Sequence, residues 1–172
     1  MAITVQELDT LPETEAADRF RACCGSSRWV DAMVAQRPFR SEQVLFDAAD
    51  RIWSDCSEKD WREAFAHHPR IGAKNGVDKQ NAQAKDWSRG EQESFGDASN
   101  TVRTELEDVN REYEHRFGHI YIVSAAGKIP DELLAIAKRR LGNDPETEIR
   151  IAAEEQRKIT RLRLSKLLGV ET

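Results

Sequence analysis

The stretch FAHHPRIG at residues 65–72 concentrates groups that could do chemistry. His68 titrates near neutrality when unperturbed, so it can give or take a proton at physiological pH. Pro69 removes a backbone N–H and disfavours helical angles at the residue before it, while Gly72 opens angles closed to other residues. Trp61, Ala64, Phe65 and His68 recur at three- and four-residue spacing, so a helix carries the first part and yields to an irregular turn near His68. A histidine fixed at such a corner can face a cavity. The same corner also suits an ordinary helix-end histidine bonded to a neighbouring carbonyl. His67 points about 100° around the helix from His68, which argues against a paired metal site, and no CxxC occurs in the chain.

A second candidate is WSRGEQ at 87–92. Ser88 and Glu91 stand at capping-box spacing, where the serine side chain accepts from the third helical amide and the glutamate returns to the serine amide. A helix beginning there would also expose amides suited to a carboxylate. Glu91 could then turn toward a ligand, with Gly90 permitting close approach to the backbone. Arg163 is the third candidate, four residues after Ile159 at the edge of an apolar stripe. A partly buried arginine needs a partner, either an anion held bidentately or an acid such as Glu105 or Glu112.

The elements that must position these groups are helices. Val5–Cys24 reads as two short helices with Pro12 near the start of the second. Trp29, Met33 and Val34 share a face, and after a Ser41 cap Val44, Leu45, Ala48, Ala49 and Ile52 form a stripe. Ser57–Ala66 continues in the same style. Residues 70–87 are polar and lack apolar periodicity, which predicts a long loop. A long helix is expected from Ser88 to about Arg116, carrying Val102, Leu106, Val109 and Tyr113. Pro130 and Pro145 each open a further helix. One segment departs from this rule. RFGHIYIVSAAGK at 116–128 has strand-like propensity, yet no second strand exists to pair with it. The expectation is an all-α, single-domain helical bundle over residues 1–172, with one short extended segment near 117–125. That segment is either a wall of free backbone groups for a polar ligand or a connector satisfied by side chains.

Composition narrows the classes. The 172 residues suffice for one substantial core without staples. A formal charge of −5 argues against nonspecific nucleic-acid binding. No window approaches the roughly 18 apolar residues that cross a bilayer, and the N-terminus lacks a signal-peptide pattern. Three cysteines, two of them adjacent, do not form a disulfide framework, which places the chain in the cytoplasm.

Four ordered blocks carry a resemblance: HPRIG at 68–72, WSRGEQ at 87–92, NREYEHRFGHIYIVSAAGK at 110–128 and KITRLRL at 158–164. With RPF at 37–39 and LGN at 141–143 they resemble the 2-oxo-4-hydroxy-4-carboxy-5-ureidoimidazoline (OHCU) decarboxylase family over nearly the whole chain. The resemblance implies an all-helical, commonly dimeric enzyme without metal or organic cofactor, acting on OHCU to give (S)-allantoin in urate breakdown. It implies His68 as the catalytic histidine, and the decarboxylation chemistry leads us to expect Glu91 as its acid–base partner. It implies substrate contacts from Pro69, from Ser88, Arg89, Gly90, Glu91 and Gln92, from the backbone of His119, Ile120, Tyr121, Ile122 and Val123, and from Arg163. Two other classes fit the residues less well. One is a helical binding module in which HPRIG merely stops a helix; the other is a metal-dependent hydrolase using His67 and His68.

Overall fold

The computed structural model describes residues 1–73 and 81–171, apart from the side chain of Asp97. Helix starts follow local capping chemistry, in which an oxygen ahead of the helix takes one of the amides that lack an internal partner. Thr4 and Glu7 form a full capping box on α1 (Val5–Thr10). Pro12 precedes α2 (Glu13–Cys23), and the hydroxyls of Ser26 and Ser41 cap α3 (Ser27–Gln36) and α4 (Glu42–Asp55). After α5 (Glu58–Phe65), Asn81 caps α6 (Ala82–Glu91) and Ser99 caps α7 (Asn100–Phe117). Pro130 takes the first position of α8 (Pro130–Arg140), and α9 runs over Pro145–Leu168. A 3-10 turn covers Glu93–Asp97, and no strand occurs among the described residues. The all-α expectation holds. No described helix is long and apolar enough to cross a membrane.

Two expectations about helix boundaries do not hold. The helix foreseen from Ser88 to about Arg116 is three elements: α6, the 3-10 turn and α7. The α-helix ends at Glu91 with Gln92 as its C-cap, and Ser99 supplies a new cap for Val102. The loop foreseen over 70–87 is helical from Ala82 because Asn81 accepts the amide of Ala84 at 2.9 Å. Residues 74–80 of that expected loop lie outside the described residues. In α4, Val44 of the proposed stripe is exposed, while Leu45, Ala48, Ala49 and Trp53 are buried.

The chain divides into two compact units, Met1–Ala64 with Arg157–Thr172, and Phe65–Gln156. In the first, α3 packs on both α2 and α4. Phe20 meets Trp29 and Phe39 edge-on, at 5.9 and 6.1 Å between ring centroids. The Trp29 indole donates to the Ala49 carbonyl at 3.1 Å, so a large ring is buried without leaving its N–H unpaired. Arg37 donates to the carbonyls of Leu8 and Leu11 at 3.0 and 2.7 Å, and Asp9 accepts the amides of Phe39 and Arg40. That exchange explains the RPF corner.

In the second unit α7 packs on α8 around Ile71, Phe95, Leu106, Tyr113, Phe117, Tyr121, Leu133 and Ala137. Leu106 and Leu133 are 1% and 0% exposed. Each contributes about 1.5–3 kcal/mol by leaving water. Residues 120–125 form neither helix, turn nor strand, at the place where the short extended segment is expected. Phe117 itself closes α7, and Gly118, at φ +74°, turns the chain out of it.

Candidate active site

The corner after α5 has the form its sequence implies. Helix α5 ends at Phe65, whose carbonyl accepts the His68 amide at 3.1 Å. Gly72 adopts φ +83°, and a Cβ there would lie 3.2 Å from Leu106 and 3.3 Å from Phe95. Asn110, which opens the NREYEH block, donates to the Ile71 carbonyl at 3.1 Å and so fixes the same corner from α7.

His68 is 8% exposed, and its Nε2 lies 2.6 Å from Oε1 of the fully buried Gln156. An amide oxygen only accepts, so Nε2 carries the proton in this contact. Gln156 is the functional candidate that sequence reading missed. Its signal was present: Ile149, Ala152, Gln156 and Ile159 fall on one stripe of α9. A polar side chain on a buried stripe must have a polar partner.

Pro69, Ser88, Arg89 and Gln92 come together with Lys85, Phe95 and Arg103 around a cleft of about 250 Å³. The Gly72 amide donates to Oε1 of Gln92 at 2.8 Å, joining the histidine corner to the end of α6. Among the described lining residues stand three cationic side chains and no carboxylate, which favours an anionic ligand. The chemistry assigned to this stretch from sequence needs correction. Ser88 is buried inside α6 and Glu91 is its last residue, so neither forms a capping box and no helix-start amides lie there. The true N-cap is Asn81. Arg89 is exposed and pairs with Asp86 at 3.4 Å. Gly90 is exposed too, and a Cβ on it would meet nothing within 4 Å. Glu91 is half-buried.

The extended segment lies deep. Tyr121, Ile122 and Val123 are 2%, 2% and 3% exposed. Arg140 donates to the Ile122 carbonyl at 2.7 Å, Lys128 to the Ser124 carbonyl at 2.7 Å, and the Ser124 amide reaches Glu155 at 3.3 Å. Side chains therefore satisfy part of this segment, as the connector alternative expects. Among the described residues, the amides of Ile120, Tyr121, Ile122 and Val123 meet no protein acceptor. His119 sits in an aromatic nest, 5.2 Å from Phe65 and 5.5 Å from Tyr113, with Nδ1 2.9 Å from the Ile120 carbonyl.

Arg163 belongs to the other unit, where it is 3% exposed and donates to the Ala22 carbonyl at 3.2 Å. Glu105, one acid considered for it, is salt-bridged to Lys138. In the unit that holds Arg163, burial pushes the Cys24 thiol up to about 12. Among the described residues, no three His, Cys, Asp or Glu side chains gather as a metal site.

Comparison with known proteins agrees with the sequence blocks. A model of the family described as OHCU decarboxylase matches residues 9–165. A uric acid degradation bifunctional protein of Arabidopsis thaliana is 35% identical over 152 residues, covering 88% of this chain and 47% of that protein. The chain thus spans about half of that relative and 32% of a bifunctional relative from a Bacillus strain. An OHCU decarboxylase of Haloferax volcanii is 27% identical and covered to 98%, as is this chain. Among solved structures, an OHCU decarboxylase crystallised in the presence of (S)-allantoin superposes with a TM-score of 0.77 at 35% identity, over 88% of this chain and 98% of that one.

Proposed function

We propose, from the premise that the chain belongs to the OHCU decarboxylase family, that it decarboxylates OHCU to (S)-allantoin in urate breakdown without a cofactor. The observation that carries this is His68, buried at a helix corner with its ring held by Gln156, next in the chain to Pro69, which lines a cleft with cationic walls. The substrate bears a hydroxyl and a carboxylate on one ring carbon, next to a carbon–nitrogen double bond. As the bond to the carboxylate breaks, its electron pair moves toward that double bond and CO2 departs. The molecule is its own electron sink. The protein's tasks are then orientation, charge balance and delivery of one proton to one face of a planar intermediate.

In this scheme His68 and Glu91 handle the substrate hydroxyl as the carboxylate leaves. Pro69, Ser88, Arg89, Gly90 and Gln92 flank the substrate, Arg163 takes an anionic group, and the amides at 119–123 hold the polar ring and ureido groups. Acid–base help of this kind is worth about 10²–10⁴-fold, and orientation contributes on a comparable scale. The reading extends to a cytoplasmic homodimer.

The test supplies freshly generated OHCU and follows chirality by circular dichroism. His68→Ala should lose about 10²–10⁴-fold in rate, and Glu91→Gln should lose turnover without a matching loss of melting temperature. Native-rate (S)-allantoin production by His68→Ala would refute the role given to His68. No turnover and no ligand-dependent rise in the melting temperature of the unaltered protein would leave a binding module instead.

A further inference from the structure

Behind the extended segment lies a buried charged network that the decarboxylation scheme leaves unused. Arg140 is 5% exposed, Glu148 0% and Tyr113 0%. Arg140 Nε donates to Glu148 at 2.7 Å, Nη2 closes the ion pair at 2.5 Å, and the Tyr113 hydroxyl donates to the same carboxylate oxygen. The second oxygen accepts from Asn143 at 3.0 Å. The guanidinium also lies over the Tyr121 ring, 5.0 Å from its centroid. Burial alone lowers an arginine's pKa, but here the bond to Glu148 and the groups around it hold Arg140 above its usual value.

Such a pair is costly to bury and by itself does little for stability compared with an apolar substitute. Its one remaining arm is informative. Arg140 Nη1 reaches out of the network to the Ile122 carbonyl at 2.7 Å. A carbonyl and the next amide share one rigid plane, so holding Ile122 O also aims the Val123 N–H. That amide belongs to the run, Ile120 to Val123, that meets no protein acceptor among the described residues. Tyr121 anchors the run a second time, because its hydroxyl donates to the Leu133 carbonyl at 3.0 Å.

We propose that Arg140 is a positioning residue: its fork, set by Glu148 and Tyr113, locks the 120–123 backbone so that its amides are presented in fixed directions to the substrate. This rests on the decarboxylase reading above. It assigns the buried ion pair to ligand recognition rather than to stability. Lysine cannot replace the fork, since a single ammonium cannot serve a carboxylate and a peptide carbonyl in the same plane.

The experiment compares the unaltered protein, Arg140→Lys and the paired variant Arg140→Met with Glu148→Met. The pair replaces the ions by apolar side chains, a change that buried ion pairs commonly tolerate, so it serves if Arg140→Lys fails to fold. Melting temperature, kcat, KM, (S)-allantoin Kd and amide exchange at 121–123 are measured. In each folded variant, KM and the allantoin Kd should rise about tenfold, the worth of roughly one misplaced hydrogen bond. Exchange at 121–123 should quicken, and kcat should change far less. A purely structural role would move the melting temperature and leave KM and Kd in place, which would overturn the inference. An unaltered protein that neither turns over OHCU nor binds (S)-allantoin would overturn the decarboxylase reading and this inference with it. Turnover by the unaltered protein beside a variant of native Kd overturns the inference alone.

Discussion

Replacing Gln156 by leucine tests the geometry of His68 most directly. The two side chains are similar in size, so the packing of a 0% exposed site is nearly preserved. What disappears is the acceptor 2.6 Å from His68 Nε2. A donor left unpaired at a buried site costs about 1–3 kcal/mol. For a chain of this size each kcal/mol moves the melting temperature by about 2–4 °C, so the expected fall is about 2–12 °C. The effect on turnover has a different origin. Without the bond to Gln156 the His68 ring loses one of the contacts that fix its orientation. A misplaced catalytic group costs up to about 10²-fold, less than the full loss expected for His68→Ala. Calorimetry gives the first quantity and the chiral allantoin assay the second. A variant that melts lower but keeps native kcat/KM would show that Gln156 only supports the fold. A variant that melts as the unaltered protein does would show that the bond contributes nothing net.

Two further outcomes follow from the structure. Gly72→Ala places a Cβ 3.2 Å from Leu106 at a residue with φ +83°; left-handed angles alone cost about 1–2 kcal/mol, so calorimetry should show a lower melting temperature, and an unchanged one would refute the strain. Alkaline pH should also weaken the fold. Burial raises Cys24 to about 12 and Cys56 to about 11 from an ordinary 9.0, and burial likewise raises Tyr113 and Tyr121 above 10.0. Each group is harder to ionise when folded, so its contribution is complete below the unfolded pKa and is lost as pH rises through the folded one. Urea unfolding should therefore show lower stability at about pH 10.5 than at about pH 8; equal stability would contradict that burial.

The extended segment shows how sequence and structure divide the work. Ile120 to Val123 carried strand propensity with nothing to pair, and from that alone an exposed backbone edge or a side-chain-satisfied connector were both open. The resolution depended on Arg140, eighteen positions beyond Ile122 along the chain, and on Glu148 at its far side. No periodicity links those positions.

What the amino-acid order determined by itself was local. The Ser41 cap, the prolines at helix starts and the corner at Pro69 and Gly72 act over three or four residues, and they are where the spacing puts them. The error at Ser88 came from the same locality, since Ser-x-x-Glu also occurs inside a helix that Asn81 has already begun. Only tertiary structure decided that Gln156 meets His68, that Gln92 holds the Gly72 amide, and that Arg140 grips Ile122. The reason is physical. A buried polar group must find a partner wherever packing places one, and packing joins residues whose separation along the chain has no period.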